Sequence, residues 1–532
     1  MNRLQRFVAN AAILGGVSIF MRIIGVIFNA YAANVVGAEG IGIYSLISSA
    51  YVFAVTVATS GINLAVTRLV SEELAKNNTK AAIASVKKCV MYSIIFGSVS
   101  AICLFLFARP IGVKLLGDER TVLSLKALSI SLPFIALSNV LSGYFNAVKR
   151  VSKNASASIA EQFVKIGFTV FFLNLIGPKS VEYACLSLVL GSSIAEGLSF
   201  IYLVIFYFYD KKKHLKPQKN EKVPPDLKKR MLNISLPIAA SAYLRSGLVT
   251  IEHILIPAGL KKYGSNKSSA LASYGTIHGM VFPLILFPSA ISSTFASLII
   301  PELSEISASK GSKDTKHIKY IVSRAISLSV MFGVICAGAF ILFSDSLGKL
   351  IYGSEEASKY IGVFAVLIPL MYLDITVDGM LKGLGEQLAS MKYNIIDSAI
   401  SVFLVYTLLP NIGISGYVIC VFVTELVNDV LSLNRLVKVT KVKIPIYSTV
   451  IAPVISIIGA STVTNLIFKN LPFSFYSLAI ETTSGIFTIF IIYIAFLIAL
   501  RGITREDIIW IIGIFRKNGE NKDLKSAAPS QI

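Results

Sequence analysis

The sequence predicts an all-α integral membrane protein with about fourteen transmembrane helices. Of its 532 residues, 55% are hydrophobic and only 15% are charged, and the mean hydropathy is +0.72. Soluble proteins carry about 25% charged residues, and about 20 consecutive apolar residues are enough to cross a bilayer as a helix. The composition is therefore that of a multi-pass membrane protein. No polar stretch in the sequence is long enough for an independent soluble domain.

Fourteen apolar runs are the candidate transmembrane helices, numbered here as spans 1 to 14, with connection n following span n. They cover residues 7–35, 40–68, 84–108, 124–147, 157–176, 182–209, 231–256, 271–299, 321–343, 358–381, 393–410, 414–434, 446–467 and 476–500. Most connections are short, and the basic loop 210–230 is one of the two longest. Beyond span 14, the stretch 504–515 predicts an interfacial helix that is too short to cross the bilayer.

The cationic residues alternate between the two sides of the predicted membrane. When the cations at the ends of spans are counted with the adjacent connections, the N-terminus, the C-terminal tail and the even-numbered connections hold 36 of the 50 Lys and Arg residues, while the odd-numbered connections hold 11. Cytoplasmic loops carry the excess of Lys and Arg. We therefore expect a protein of the cytoplasmic membrane with both termini and loop 210–230 in the cytoplasm. The same alternation accounts for the net charge of +21 and argues against a nucleic-acid partner.

The sequence also contains an internal repeat. Segments 132–162 and 368–398 align without a gap at one constant offset, which pairs Pro133 with Pro369 and Gly143 with Gly379. Two shorter matches pair 68–75 with 298–305 and 194–199 with 423–428. Spans 1–6 therefore resemble spans 7–12, which predicts two six-helix lobes related by pseudo-two-fold symmetry with a cavity between them.

The repeat sets the predicted domain boundaries. They are an N-lobe at 1–209, a basic cytoplasmic linker at 210–230, a C-lobe at 231–440, the extra spans 13 and 14 at 441–502, and an interfacial helix with a polar tail at 503–532.

Three stretches of this chain resemble one family. Residues 21–76, which begin "MRIIGVIFNAYAANVVGAEGIGIYSL", together with 180–203 and 274–305, resemble the stage V sporulation protein B group. That group belongs to the multidrug/oligosaccharidyl-lipid/polysaccharide exporter superfamily, beside the lipid II flippases. The resemblance implies a fourteen-helix exporter that moves a lipid-linked glycan precursor outward by alternating access. For the sporulation branch it implies peptidoglycan and spore cortex synthesis.

Span 1 carries a cation within its apolar run. Gly15, Ser18, Arg22, Gly25 and Asn29 are spaced by three or four residues, so they form one polar or small stripe on the helix. A charge inside the membrane costs about 2.5–3.5 kcal/mol and needs a cavity or a partner. In the lipid II flippase relatives, a span 1 arginine lines the central cavity, although a serine precedes it where this chain has Met21.

Span 7, the first of the second lobe, has an arginine as well. Ser241, Arg245 and Glu252 fall on one face. A guanidinium group binds phosphate oxygens in pairs, so we predict that Arg22 and Arg245 hold the substrate diphosphate, with Ser18, Asn29 and Glu252 lining the same cavity. The alternative is a structural tie, with Arg22 paired to an acid such as Glu196 and Arg245 paired to Glu252.

The later spans of the second lobe are rich in oxygen ligands. Carboxylate, amide and hydroxyl oxygens bind hard cations, so Asn394, Asp397, Thr424 and Glu425 form a candidate site for Na⁺ or H⁺ coupling. The alternative is a set of satisfied polar links between helices, including an Asp378–Lys382 pair. We expect neither a catalytic residue nor a bound metal or organic cofactor.

Three functions fit the sequence. The preferred one is a flippase for a lipid-linked oligosaccharide or peptidoglycan precursor, in cell-wall or spore-cortex synthesis. A cation-coupled drug or small-molecule exporter of the same fold is the second, although two cavity arginines favour an anionic substrate. A membrane-embedded glycolipid enzyme is the third, and the short loops offer no cluster of catalytic side chains. The expected partners are the lipid-linked glycan and the bilayer, and the chain is expected to act as a monomer.

Overall fold

A computed structural model describes residues 3–214, 221–308, 312–470 and 477–503. Every regular element in these ranges is a helix, which confirms the predicted all-α class. The predicted interfacial helix at 504–515 and the polar tail lie outside the described residues, as does the central part of loop 210–230.

The helices of the first half follow one another with short breaks. They are α1 (Arg3–Thr59), α2 (Ile62–Ala75), α3 (Thr79–Leu106), α4 (Ala108–Pro110), α5 (Val122–Ser129), α6 (Leu132–Ala147), α7 (Val151–Leu175) and α8 (Val181–His214). Short 3₁₀ or π turns join some of them at Ile111–Leu115, Glu119–Thr121 and Gly177–Lys179.

The second half continues in the same manner. Its helices are α9 (Leu227–Tyr263), α10 (Lys267–Gly275), α11 (Phe282–Leu286), α12 (Ser289–Ala308), α13 (Ser312–Leu342), α14 (Ser344–Tyr352), α15 (Glu355–Ala365), α16 (Ile368–Gly383), α17 (Gln387–Ile412), α18 (Ile414–Thr440), α19 (Ala452–Asn470) and α20 (Leu478–Ala499). The π turns Thr276–Val281 and Tyr447–Ile451 precede α11 and α19.

Eleven helices in the described ranges are long and apolar enough to cross a membrane, or thirteen if each of two bent helix pairs is one span. The predicted count of fourteen stays a prediction, because it requires the first long helix to cross twice. Helix α1 is interrupted at Gly37, where φ is 79° and ψ is 166°. Glycine adopts this backbone without the steric penalty of a Cβ, and Gly37 lies in the predicted connection between spans 1 and 2.

The two bent pairs occupy equivalent positions in the predicted repeat. Glu119–Ser129 meets Leu132–Ala147 at 45°, and Glu355–Ala365 meets Ile368–Gly383 at 56°. Helices α6 and α16 are each 16 residues long and carry Pro133 and Pro369 in their first turns. Proline is tolerated at that position because the first N–H groups of a helix have no partner within it.

The packing against these prolines is also repeated. A Cβ on Gly97 would lie 3.1 Å from the Cα of Pro133, and a Cβ on Gly333 would lie 2.6 Å from the Cα of Pro369. Gly97 and Gly333 are related by the same offset in the sequence as the two prolines. In each half, a glycine therefore lets one helix approach the backbone at the bend, which supports the repeat inferred from the sequence.

The chain forms two compact units. The first comprises Met1–Arg22, Ile285–Ser390 and Glu425–Ile532, and the second comprises Ile23–Leu284 and Met391–Thr424. Within the second unit, α2, α3 and α6 bury a core that includes Val66, Val86 and Tyr144. The lobe boundaries predicted from the repeat stay a prediction.

Ion pairs between connections join loops of the same parity. In the second unit, Arg120 of connection 3 contacts Glu39 of connection 1 at 2.8 Å, and Lys267 of connection 7 contacts Asp118 of connection 3 at 3.1 Å. Among the even-numbered connections, Arg230 of connection 6 contacts Glu72 of connection 2 at 2.6 Å. These contacts agree with spans that cross the membrane alternately.

Candidate substrate and cation sites

Arg22 caps the break between α11 and α12. Its Nη1 donates to the Leu286 carbonyl at 2.9 Å and to the Ser289 hydroxyl at 2.8 Å. In a continuous helix the Leu286 carbonyl would accept from residue 290, but the N–H of Ala290 donates to Phe287 instead. Arg22 and the Ser289 hydroxyl therefore both donate to a carbonyl that the break between α11 and α12 leaves without its helical donor.

The rest of the Arg22 guanidinium is uncommitted. The side chain is exposed, and its Nε and Nη2 donate no hydrogen bond to the described part of the chain. Arginine has five N–H donors in a planar fork, and the two bonds to span 8 use Nη1 alone. The group can hold the helix break and still present a pair of donors to an anion.

The predicted tie between Arg22 and Glu196 receives no support from the partners of Glu196. In the second unit, the Glu196 carboxylate accepts from the Tyr51 hydroxyl at 2.8 Å. The Tyr51 hydroxyl also lies 2.5 Å from the Ser131 hydroxyl. Glu196 is thus held by a neutral donor from span 2, the Tyr51 hydroxyl, which in turn contacts Ser131 of span 4. Sequence reasoning missed Tyr51 and Ser131, since nothing in their spacing relates them to Glu196.

Arg245 is exposed on α9 and forms no hydrogen bond or ion pair with the described residues. Ser241, one turn earlier, donates to the Ile238 carbonyl of its own helix at 3.0 Å. Glu252 lies instead beside Ser401 and Asp397 of α17. The structural alternative of an Arg245–Glu252 pair is therefore not formed, and the guanidinium of Arg245 is available to a ligand.

Asn29 and Ser18 are the other two predicted cavity residues, and the structure describes the side chain of Asn29 alone. The Asn29 amide donates to the Gly279 carbonyl at 2.8 Å, in the π turn that precedes α11. A π turn leaves backbone groups outside the regular helical pattern, so Asn29 acts as a tie in the second unit. Ser18 lies in α1, and its side chain is not among those described.

The four residues of the predicted cation site are divided between the two units. Asn394, Asp397 and Thr424 lie in the second unit, where Asp397 is near Glu252 and the Thr424 hydroxyl donates to the Cys420 carbonyl at 3.0 Å. Glu425 lies in the first unit and interacts electrostatically with Asp429. The separate Asp378–Lys382 pair is formed, as its spacing predicted.

Two histidines that share no sequence pattern meet in the second unit. The rings of His253 and His278 are 4.6 Å apart. The His253 Nδ1 lies 2.7 Å from the Tyr274 hydroxyl, and the His278 Nε2 lies 2.8 Å from the Tyr417 hydroxyl. Because the described residues include no group of three or more His, Cys, Asp or Glu suited to a metal ion, we interpret this cluster as a hydrogen-bonded core.

Asp429 and Asn428 form the least satisfied polar group in the first unit. The Asn428 amide nitrogen donates to the Asp374 carboxylate at 3.0 Å. The Asn428 amide oxygen and both Asp429 carboxylate oxygens are buried without a hydrogen-bond partner among the described residues. Asp374 and Asp429 are visible in the sequence as acids within spans, but the burial of Asp429 was not predictable from it.

Two protein-family models match the chain. The model described as "Polysaccharide biosynthesis protein" matches residues 7–307, and the model "MatE" matches residues 262–407. Among curated relatives, Stage V sporulation protein B of Bacillus subtilis (strain 168) is 27% identical over 453 residues, covering 83% of this chain and 86% of the relative. Lipid II flippase MurJ of the same organism is 22% identical over 415 residues, covering 72% of each.

Solved structures share the fold. A structure titled "Lipid II flippase MurJ, inward closed conformation" aligns with a TM-score of 0.69 at 15% identity, covering 90% of this chain and 98% of that one. An inward-facing multidrug resistance MATE family transporter aligns with a TM-score of 0.60 at 15% identity, covering 81% and 99%. These likenesses confirm the predicted all-helical transporter fold.

Proposed function

Because this chain belongs to the polysaccharide biosynthesis protein family, we propose that it is a flippase for a lipid-linked glycan precursor. It would move the precursor outward across the cytoplasmic membrane by alternating access, in the synthesis of peptidoglycan or of a related cell-wall glycan. The names of two relatives, Stage V sporulation protein B and Lipid II flippase MurJ, support this substrate class and a role in sporulation.

The main support for the proposal is the hydrogen bonding of the Arg22 side chain. Its Nη1 is occupied by the break in span 8, while Nε and Nη2 make no bond with the described residues. A lipid-linked precursor has a diphosphate at its head, and a guanidinium binds phosphate oxygens through two parallel hydrogen bonds. Arg245 supplies a second exposed guanidinium on the first helix of the second predicted lobe.

Substrate binding at Arg22 would reach the helix break directly. The same guanidinium would then contact the phosphate and the Leu286 carbonyl. A change in its position would therefore alter the hydrogen bonding at the junction of α11 and α12. A ligand shifts a conformational equilibrium only through its different affinity for the two states. We propose that the break at Pro288 is one element whose geometry depends on whether substrate is bound. One copy of the chain supplies both arginines, so the proposed working unit is a monomer.

A second candidate function is a cation-coupled exporter of drugs or other small molecules. The "MatE" family model at residues 262–407 favours it. The two exposed guanidinium groups weigh against it for cationic drugs, because like charges repel at close range. Under either function, we propose that Na⁺ or H⁺ drives transport through Asn394, Asp397, Thr424 and Glu425.

Substitution of Arg22 tests the proposal. Arg22→Ala should abolish complementation of a flippase-deficient strain at an unchanged membrane level of the protein. Each charge-assisted hydrogen bond is worth about 1.5–3 kcal/mol, which corresponds to at least about a tenfold loss of affinity for a polyprenyl diphosphate. Arg22→Lys should rescue only partly, since an ammonium group keeps the charge and loses the fork.

Ser289→Ala is the matched control for the structural role of Arg22. It removes the hydroxyl that Arg22 and the Leu286 carbonyl share but leaves the guanidinium in place, so it should retain flipping. Full activity of Arg22→Ala would refute phosphate binding. Equal losses of membrane protein in Arg22→Ala and Ser289→Ala would show that Arg22 is a structural tie.

The orientation is also part of the proposal. The distribution of Lys and Arg, 36 against 11, supports termini in the cytoplasm. A single cysteine introduced at 36–39 should react with an impermeant maleimide in intact cells, whereas one near residue 222 should react only after the cells are opened. The reverse pattern would contradict the orientation.

A further inference from the structure

Span 2 is broken where it packs against span 7. Helix α1 ends at Thr59 and α2 begins at Ile62, and between them Ser60 and Gly61 have φ values of 43° and 68°. Glycine adopts this left-handed region freely, whereas a serine there is strained. Ser60 is also completely buried. Strain of this kind persists only where the surrounding structure holds the residue in place.

The side chain that holds Ser60 comes from span 7. The Ser60 hydroxyl donates to the Val57 carbonyl and also contacts the Tyr243 hydroxyl. A serine hydroxyl has one proton, so Tyr243 is the donor in their contact. The backbone of span 7 lies close by, since a Cβ on Gly61 would be 3.0 Å from the Ser235 carbonyl oxygen. Span 7 therefore completes the turn in span 2.

The break in span 8 is held in an equivalent way. The offset between the matched segments of spans 2 and 8 pairs Ser60 with Ala290, which lies at the break that Arg22 contacts. Arg22 belongs to span 1, the first span of the predicted first lobe, and Tyr243 belongs to span 7, the first span of the predicted second lobe. Each broken span is thus held by the first span of the other predicted lobe.

A second tyrosine lies beside the break in span 2 without using its hydroxyl. The Tyr92 hydroxyl of span 3 is buried and has no hydrogen-bond partner among the described residues. The polar side chains around it are Ser60, Ser235 and Tyr243. A buried hydroxyl without a partner is unfavourable. Tyr92 therefore offers Ser60 a second donor, this one from within the predicted first lobe.

The two tyrosines differ in how firmly they are placed beside span 2. Tyr92 is 6% exposed and belongs to the core of spans 2, 3 and 4, which also includes Met231 at the inner end of α9. Tyr243 is partly exposed and lies beyond Pro237 of α9. Proline inside a helix removes a backbone hydrogen bond and bends the helix, so the part of α9 that carries Tyr243 can move while Met231 stays in the core. Tyr243 can therefore leave Ser60, whereas Tyr92 stays beside it.

We propose that Ser60 exchanges its donor during transport. It accepts from Tyr243 while spans 2 and 7 are packed together and from Tyr92 when span 7 moves away, so the strained turn keeps a hydrogen bond in both states. Tyr243 and Tyr92 are then positioning residues, which act on the break in span 2 and not on the substrate. Only the part of this exchange in transport rests on the proposed flippase function.

The test measures how often spans 2 and 7 separate. The Thr56 and Ser246 hydroxyls are 3.2 Å apart in the same contact, so the thiol of Thr56→Cys should react with N-ethylmaleimide only when the spans separate. The full-length protein is labelled in lipid nanodiscs, and peptide mass spectrometry gives the rate at this position. Tyr243→Phe should raise the rate about fivefold, because it removes a hydrogen bond of the packed state. Tyr92→Phe should lower it about fivefold, because it removes one of the separated state.

Ser60→Ala shows whether both effects pass through Ser60. It deletes the acceptor that the two tyrosines share, so neither tyrosine substitution should change the rate when it is combined with Ser60→Ala. Tyr202→Phe is the matched control. The Tyr202 hydroxyl donates to Ser156 at 3.0 Å, between spans 5 and 6, so its loss should leave the rate unchanged.

Two results would overturn the proposal. One is a shift of the rate in the same direction in Tyr243→Phe and Tyr92→Phe, which a general loosening of the packing would give. The other is persistence of either effect in the Ser60→Ala background. If Tyr243→Phe fails to fold, Tyr92→Phe alone decides, since an unchanged or higher rate is incompatible with a donor of the separated state.

Complementation of a flippase-deficient strain separates the exchange from the proposed function. Opposite rate shifts together with impaired complementation by both tyrosine variants would support the proposal in full. Opposite rate shifts in a chain whose wild type does not complement would support the exchange and refute the flippase function.

Discussion

The two halves of the molecule share a backbone arrangement, but acids within their spans differ in their hydrogen bonding. In the first half, the Glu196 carboxylate accepts from the Tyr51 hydroxyl, which also contacts the Ser131 hydroxyl. In the second half, Asp429 is almost fully buried and neither of its oxygens has a partner in the described structure. The sequence match of 194–199 with 423–428 aligns Glu196 with Glu425, which is one helical turn before Asp429.

This difference in hydrogen bonding distinguishes two kinds of acid within membrane spans. A carboxylate with hydroxyl donors around it is already satisfied, and its removal leaves those donors without a partner. A carboxylate without donors keeps its full desolvation cost until something binds. Hydrogen-bond partners therefore distinguish acids that are already satisfied from acids that are not, which their position in a span does not.

Substitutions at the glycines that pack against the two proline bends should have the largest effect on stability. Gly333→Ala should destabilise the protein by about 1–3 kcal/mol, because overpacking costs this much and the new Cβ would lie 2.6 Å from the Cα of Pro369. Gly97→Ala should cost less, because its nearest contacts are 3.0 and 3.1 Å away. Thermal unfolding in nanodiscs, followed by an environment-sensitive thiol dye on a buried cysteine, measures both.

Gly167→Ala is the control for these two glycine variants. Gly167 lies in α7, and a Cβ at this position would have no atom within 4 Å. Alanine should therefore stabilise the helix by up to about 1 kcal/mol. If Gly333→Ala behaved like Gly167→Ala, the close approach at the second bend would be wrong, and with it the structural equivalence of the two halves.

Much of this architecture could be predicted from the sequence because it depends on local properties. Apolar runs gave the helices, and the constant offset between the repeated segments anticipated the two proline bends at Pro133 and Pro369. The i, i+4 spacing of Asp378 and Lys382 was enough to predict their ion pair. Each of these features is decided within a few turns of one helix.

The contacts between distant spans could not be predicted in the same way. The partners of Arg22 are Leu286 and Ser289, which belong to span 8 in the other half of the chain. They depend on the rotation of α1 and on a break in another helix, neither of which the apolar pattern fixes. The same holds for the approach of His253 to His278 and for the missing partners of Asp429.

A smaller difference between the halves lies in the caps of two equivalent helical turns. Asp118 and Ser354 are related by the offset of the repeat. The Asp118 carboxylate accepts from the N–H of Arg120 at 3.0 Å, and the Ser354 hydroxyl accepts from the N–H of Ala357 at 3.1 Å. Asp118 also pairs with the Arg120 and Lys267 side chains. One cap therefore carries a titratable charge and the other does not.

The charge gives the first cap a pH dependence that the second lacks. Burial acts to raise the pKa of Asp118, but hydrogen bonds from Arg120 and Lys267 outweigh it, and the pKa lies below its ordinary value of 3.8. A carboxyl with a lowered pKa stabilises the folded state above its unfolded pKa, and this contribution is lost as the pH falls through the folded pKa. Stability at Asp118 should therefore decline below about pH 4.

Paired cap variants measure this difference. Ser354→Ala should cost about 1 kcal/mol at every pH, as loss of a serine cap does. Asp118→Asn keeps an oxygen acceptor for the N–H of Arg120 but loses the charge, so its destabilisation should be largest near neutral pH and should shrink as the wild-type carboxylate becomes protonated. The difference in melting temperature between wild type and each variant, followed from pH 7 to pH 3, gives the result. A constant difference for Asp118→Asn would show that its carboxylate contributes through shape alone, and that the two caps are equivalent after all.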